Sequence, residues 1–173
     1  MARRGVRVVR GRLPHLPFRD GSFDVAISLD VFEHVEQDLE AMREVRRVLR
    51  PGGRLITTVP ALMWLWSEHD VALHHHRRYQ KSEFAERLDE AGFERLRLSY
   101  YNSLLLPPIA AVRLAGGLKA RLFGKRAGEP SSDLSLPPYP LNETLAAVFG
   151  SEASLLRWTS LPLGASLIAD LRA

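Results

Sequence analysis

Hydrophobic and polar positions in the first sixty residues follow first a strand pattern and then a helix pattern. The segment Phe23 to Leu29 is mostly apolar, which is typical of a strand buried on both faces of a parallel sheet. Apolar residues then recur at helical spacing from Leu39 to Leu49, and Pro51-Gly52-Gly53 predicts the end of that helix. Arg54 to Val59 is β-prone again. This order predicts a β-α-β unit with two parallel strands.

The rest of the chain predicts more helices and two more strands. In chain order these are a helix over 82–91 ended by Gly92, a strand over 93–101, helical segments over 141–149 and 153–158, and a last strand over 163–171. Pro60 to Gln80 reads as a long loop rich in histidine and aromatic residues. Residues 103–165, which include a Pro/Ser/Gly stretch from Gly128 to Pro140, are interpreted as a mostly helical insertion or lid.

Composition narrows the class of protein. The 173 residues suit one domain, and the absence of cysteine excludes disulfide scaffolds, Cys-ligated zinc and thiol nucleophiles. The net charge is +4, but the basic residues are interspersed with acids and form no stripe, so no nucleic-acid partner is expected. The longest apolar run, Leu104 to Val112, is too short to cross a membrane. With no signal peptide apparent, a soluble cytoplasmic protein is expected.

Several motifs resemble the class I S-adenosylmethionine-dependent methyltransferases, in particular the type 11-like domain. They lie between Leu13 and about Tyr101, roughly half of the chain, in the order that the family shows. The matching segments are Leu16-Pro17-Phe18-Arg19-Asp20-Gly21-Ser22-Phe23-Asp24, Asp30-Val31-Phe32-Glu33-His34-Val35, Arg46-Arg47-Val48-Leu49-Arg50-Pro51-Gly52-Gly53 and Arg77-Arg78-Tyr79 with Ala91-Gly92-Phe93. The resemblance implies a Rossmann-like α/β fold, S-adenosyl-L-methionine as cofactor, and methyl transfer to a small-molecule, sugar or lipid-linked acceptor.

The chain departs from the family at the cofactor site. Members hold the cofactor mainly with a glycine-rich loop after their first strand, and these 173 residues contain no such loop. We therefore expect a single methyltransferase-like domain, 1–173, that lacks its N-terminal cofactor-binding third and is not competent by itself. The run Val6 to Val9 would be the family's third strand and should have no strand neighbour. The cofactor-binding residues that the resemblance leaves are Gly11, Arg12, Leu13, Leu29, Asp30 and Val31.

Candidate catalytic residues lie where two predicted strands end. Asp30, Glu33 and His34 follow the first of these strands and His75 follows the second, and parallel neighbours place both loops at one carboxyl edge. His34 or His75 is the expected general base for a hydroxyl acceptor. In some relatives, a carboxylate-x-x-Glu-His turn and a later histidine hold a divalent metal, which leaves open a Mg²⁺ or Mn²⁺ site in an RNA-modifying enzyme. Besides a general base and a metal site, a third interpretation gives these four side chains a purely structural role.

Other residues of the 60–80 loop and of the 103–165 region have less specific interpretations. Arg77, Arg78 and Tyr79 are expected to anchor their loop on carboxylates at the edge of the sheet. Trp64 and Trp66 are either a wall of a substrate pocket or a hydrophobic plug. The segment 104–126 mixes apolar and basic positions, which favours a lid over a peripheral membrane contact. The alternative to an enzyme is a non-catalytic methyltransferase-like module that binds a partner protein.

Overall fold

The computed structural model describes residues 7–123 and 138–173, and it shows a mixed sheet flanked by helices. In chain order the elements are β1 (Phe23–Leu29), α1 (Asp38–Val48), β2 (Leu49–Pro60), α2 (Glu68–Ala72), α3 (Lys81–Glu90), β3 (Glu94–Tyr101), α4 (Leu106–Phe123), α5 (Leu141–Trp158) and β4 (Ser166–Arg172). Single 3₁₀ turns cover Phe32–His34 and Met63–Leu65. The predicted α/β class is confirmed.

The order of the strands in the sheet is β1-β2-β4-β3. β1 pairs with β2 in parallel, and β4 pairs antiparallel with both β2 and β3. β1, β2 and β3 therefore run in the same direction, and their carboxyl ends lie along one edge of the sheet. This arrangement confirms the predicted β-α-β unit and four core strands, with one difference in bounds. β2 begins at Leu49 rather than Arg54, so Pro51-Gly52-Gly53 lies inside the strand and not at the end of the helix.

The helices form where the apolar pattern requires a buried face. α1 buries Ala41, Met42, Val45 and Val48 against the sheet. α3 buries Phe84 and Leu88 in the same way. The chain turns sharply after α3 at Gly92, where φ is +88°, a conformation that side chains with a Cβ rarely adopt. The predicted helix ends at Leu49 and Ala91 are thus correct to within one residue.

Three predictions of local structure are wrong. β1 is an edge strand rather than a strand buried on both faces, since Val25, Ile27 and Leu29 are each more than half exposed. The helical segments 141–149 and 153–158 form one continuous helix, α5, that runs through Gly150. The loop 60–80 contains the short helix α2 and a 3₁₀ turn.

Other predictions concern the ends of the described ranges. Residues 7–9 of the run Val6–Val9 form no strand, as expected for a run without a strand neighbour; Val6 lies outside the described residues. The Gly128–Pro140 stretch lies mostly outside them too. Within 103–165, α4 begins with the buried Leu106, and Ile109 packs against the core. No helix in the described part of the chain is long and apolar enough to span a membrane.

Candidate active site

The carboxyl edge of the sheet carries unusual backbone conformations. Asp30, Leu62 and Asn102 come directly or shortly after β1, β2 and β3, and each has a positive φ, of 50°, 65° and 58°. His74, with φ at 56°, lies in the loop after α2. Non-glycine residues in such conformations cost on the order of 1–3 kcal/mol each, and they cluster at functional sites. The strain therefore points to the same edge that the strand order identifies.

His34 and His75 meet at this edge, although forty residues separate them in the chain. Their ring centroids are 4.6 Å apart and the rings are nearly perpendicular. The backbone N–H of His76 donates to the carbonyl of Glu33 at 2.8 Å, which fixes the loop after α2 against the 3₁₀ turn after β1. The expected proximity of His75 to Glu33 and His34 is confirmed.

Glu33 lies close to the two imidazoles, and within the described part of the chain no other residue gives its carboxyl group a hydrogen bond. Its side chain is fully buried, and only its own backbone N–H interacts with the carboxyl. Burial raises its pKa from the ordinary 4.5 to about 8, and the nearby charge of Asp30 adds to this effect. An unpartnered buried carboxyl is costly to the fold, so its presence at this edge is itself a sign of function.

Asp70 orients His75 from the opposite side. Asp70 is fully buried in α2, and its Oδ1 lies 3.0 Å from Nδ1 of His75 and 2.7 Å from Nε of Arg78. Its Oδ2 lies 3.0 Å from Arg113 of α4 and accepts the backbone N–H of Ser67 at 2.9 Å. Burial alone raises the pKa of Asp70, but Arg78 and the other donors outweigh burial and hold the pKa below its usual value.

The Arg-Arg-Tyr segment is a structural anchor, as the sequence suggests. Arg77 and the hydroxyl of Tyr79 both contact the buried Asp38 at the start of α1, each at 2.8 Å. Arg78 also donates to the carbonyl of Ala61 at 3.0 Å. These contacts fix the loop that carries His75 onto α1 and the end of β2.

A cavity of about 990 Å³ lies beside His34. Gly11, Arg12, Leu13 and Val31, four of the six residues assigned to the cofactor by resemblance, line it. Leu29 and Asp30 do not line it: Leu29 is 57% exposed on the edge strand, and Asp30 accepts a hydrogen bond from Thr58 at 3.1 Å. The cavity and the histidine pair are thus adjacent parts of one edge.

Sequence reasoning missed two residues of this site. Asp70 could have been found from the Ser67-x-x-Asp70 spacing, because a capping box predicts a helix start inside the presumed loop. Tyr101, at the end of β3, has a largely buried phenol that interacts with Thr58 and Ser166, and burial raises its pKa. The sequence contains no motif that marks Tyr101. Trp64, a candidate pocket wall, exposes about half of its surface.

Glu33, His34 and His75 also have the ligand types of a metal site. Each offers one ligand atom, and these atoms lie within 4.8 Å of one another. Ligand atoms around a tetrahedral cation at about 2.1 Å are about 3.4 Å apart, and groups around one hydrogen-bonded oxygen at about 2.8 Å are farther apart. The spacing of the three side chains is compatible with both arrangements.

Comparison with known proteins identifies related sequences. The methyltransferase domain family matches residues 1–57. A probable S-adenosylmethionine-dependent methyltransferase of Mycolicibacterium smegmatis is 35% identical over 91 residues, which cover 51% of this chain and 35% of that protein. An uncharacterized methyltransferase of Mycolicibacterium gilvum is 34% identical over 120 residues, covering 69% of this chain and 44% of that protein. The chain therefore spans less than half the length of these curated relatives.

Solved structures share the fold. An S-adenosylmethionine-dependent methyltransferase of Thermotoga maritima superposes with a TM-score of 0.56 at 18% identity, over 97% of this chain and 64% of that one. One of Mesorhizobium loti gives 0.52 at 14% identity, over 95% and 68%. The family match over residues 1–57, the related sequences and the shared fold agree in one respect: each is similar to the class I S-adenosylmethionine-dependent methyltransferases.

Proposed function

We propose that this chain forms the acceptor side of an enzyme that transfers a methyl group from S-adenosyl-L-methionine to a small-molecule, sugar or lipid-linked acceptor. The observation that carries the proposal is the meeting of His34 and His75 at the carboxyl edge, next to the cavity lined by Gly11, Arg12 and Val31. Ligands of open α/β sheets bind at this edge. The similarity of residues 1–57 to the methyltransferase domain family supports the reaction class.

The residues around the cavity fit the adenosine part of the cofactor. Its wall combines apolar side chains such as Leu13 and Val31 with polar ones such as Arg12 and Gln37, which suits a flat heterocycle with polar edges. Residues 7–123 and 138–173 offer the methionine part no equivalent partners, and the sequence contains no glycine-rich loop. Bound S-adenosylmethionine supplies a methyl group on a sulfonium, and transfer leaves the electron pair of the broken carbon–sulfur bond on sulfur.

The histidine pair provides the proton acceptor. A hydroxyl oxygen that forms a bond to the methyl carbon must lose its proton, and a neutral imidazole next to it takes that proton. Burial, the largest cause, lowers the pKa of His75, so its ring is neutral near pH 7. The proposal assigns His34 and His75 as catalytic and assigns no metal to them.

A titration with S-adenosylmethionine tests the proposal, which predicts weak binding at one place on the chain. Without the glycine-rich loop, several polar groups of the cofactor stay unpaired at about 1–3 kcal/mol each, so the 173-residue chain should bind S-adenosylmethionine with a Kd near or above about 1 mM. NMR titration should shift the amides of Gly11, Arg12, Leu13 and Val31 first. S-Adenosylhomocysteine should shift the same amides, and adenosine a subset.

Two results would contradict this proposal. Isothermal titration with micromolar affinity would show that the glycine-rich loop is not needed, and NMR shifts confined to Arg43, Arg46 and Arg47 on α1 would place the cofactor at the wrong edge. A chain that shows no shift at all at millimolar cofactor would favour the non-catalytic, partner-binding alternative, which no present observation supports. Peripheral membrane contact through 104–126 also stays a proposal.

A further inference from the structure

Asp70 has no role in the chemistry proposed above, yet it is the best-satisfied charge at the site. It is fully buried, and its two carboxylate oxygens accept five interactions, from His75, Arg78, Arg113 and both the backbone N–H and the hydroxyl of Ser67. An ionised carboxylate only accepts hydrogen bonds. The ring nitrogen that faces Asp70 must therefore carry a hydrogen.

This contact fixes the state of His75. The nitrogen 3.0 Å from Asp70 is Nδ1, so a neutral His75 carries its proton there and leaves Nε2 without one. The backbone N–H of His75 also donates to the carbonyl of Asp70 at 2.9 Å, so residue 75 is held at two points. The ring is then oriented toward His34, whose centroid is 4.6 Å away.

Burial, together with the positive charge of Arg78, keeps the imidazole of His75 neutral. An isolated carboxylate next to a histidine favours the imidazolium, which cannot accept a proton. Here Arg78 lies 2.7 Å from the same oxygen that His75 contacts, and His34 and Glu33 lie close to the ring. Burial and the positive charge of Arg78 oppose the effect of Asp70, so the ring stays neutral while the hydrogen bond still orients it.

We propose that Asp70 is a positioning residue that holds His75 as the Nδ1–H tautomer, so that Nε2 takes the proton from the hydroxyl group of the methyl acceptor. The inference rests on the proposed methyl transfer and names its acceptor class, an alcohol. In the balanced step, the hydroxyl oxygen forms the bond to the methyl carbon, the carbon–sulfur bond breaks toward sulfur, and the proton moves to Nε2. Arg113 connects this arrangement to α4, so the helix above the edge contacts the charge that orients the base.

A purely structural Asp70 would behave differently. In that case the carboxylate would serve only to join α2, α4 and the Arg78 loop, and the tautomer of His75 would not depend on it. Arg113→Gln is the matched control, because it removes one ion pair from Oδ2 of the same carboxylate and leaves the contact of Oδ1 with His75 in place. Asp70→Asn removes the charge and adds an amide donor.

Long-range ¹H–¹⁵N NMR spectra of the histidine-labelled 173-residue chain measure the tautomer directly, with the signals of His75 assigned from a His75→Gln variant. We expect a protonated Nδ1 and an unprotonated Nε2 near pH 7 in the unmodified chain and in Arg113→Gln. Asp70→Asn should lose this preference, and it should lower the pKa of His75 further because the carboxylate that raises it is gone. Both effects are independent of cofactor binding.

The outcomes separate this inference from the proposed function. An Nε2–H tautomer in the unmodified chain overturns it even if Asp70→Asn fails to fold, and so does an unchanged tautomer in a folded Asp70→Asn chain. Stoichiometric Mn²⁺ that broadens the His34 and His75 signals also overturns it, because Nε2 would then be a metal ligand. Failure of S-adenosylmethionine to bind leaves the tautomer result intact and contradicts the proposed function alone.

Discussion

Replacing Glu33 by glutamine should make the folded chain more stable at alkaline pH. The pKa of Glu33 is raised from 4.5 to about 8 by burial, so between these pH values the folded chain keeps a proton that the unfolded chain has released. The free energy of unfolding therefore falls as pH rises from 4.5 to 8 and is level above that range. At about 1.4 kcal/mol per pH unit, the loss is on the order of 5 kcal/mol by pH 9.

Glutamine has the shape of the protonated acid but never ionises. At pH 5, Glu33→Gln should match the unmodified chain, because a neutral acid and an amide carry similar unpaired polar atoms into the interior. At pH 9 the variant should be more stable by several kcal/mol. For a chain of this size that corresponds to a melting temperature higher by about 10 °C.

Urea unfolding followed by circular dichroism at pH 5, 7 and 9 measures this difference. Glu36→Gln is the control, since it removes the same charge three residues further along the chain from an exposed side chain. Its difference from the unmodified chain should be small and independent of pH. If the curves of Glu33→Gln and the unmodified chain stay parallel from pH 5 to 9, Glu33 ionises freely in the folded chain and the reasoning fails.

Three further changes test the packing and the electrostatics of the fold. Phe84→Ala should cost about 3–5 kcal/mol in urea unfolding because Phe84 is fully buried, whereas the half-exposed Phe149→Ala should cost clearly less. Ile27→Thr on the exposed edge strand β1 should change stability by at most about 0.5 kcal/mol. It should also reduce self-association in sedimentation velocity, because an open edge strand can pair with a second chain; an unchanged distribution of sedimentation coefficients would contradict this. The Arg47 guanidinium lowers the pKa of Glu44 to about 2, so Glu44→Gln should be less stable at pH 7, and the gap should close as pH falls toward 2.

Local sequence patterns predicted the elements well because each depends on near neighbours. The apolar spacing in α1 and the turn at Gly92 are decided within a few residues, and the predicted bounds differ from the structure by about one residue. The exposure of β1 was not predictable in this way. An apolar run such as Val25 to Leu29 has the same pattern whether or not a second strand covers it, so burial depends on partners that the run does not encode.

The residues of the site can be divided in the same way, into those that local patterns predict and those that depend on distant partners. The order of strands placed His34 and His75 at one edge, because parallel strands end together. The capping-box spacing could have marked Asp70 as the start of a helix, but its role could not be predicted, since that role depends on contacts with distant residues such as Arg113, 43 residues away. The loss of partners at Glu33 is likewise a property of packing. A sequence shows that a carboxyl is present and does not show which of its hydrogen bonds remain unmade.

The left-handed residues at the carboxyl edge have a consequence for anyone who tries to engineer this fold. Leu62 is the clearest case, because a leucine at φ 65° and ψ 94° is held there by its burial and by backbone hydrogen bonds to Tyr79 and Leu65. Glycine would relax the backbone at Leu62 or Asn102. Random screens for heat resistance would therefore select changes at the very edge that carries His34 and His75, so thermal selection and selection for catalysis should favour different sequences here.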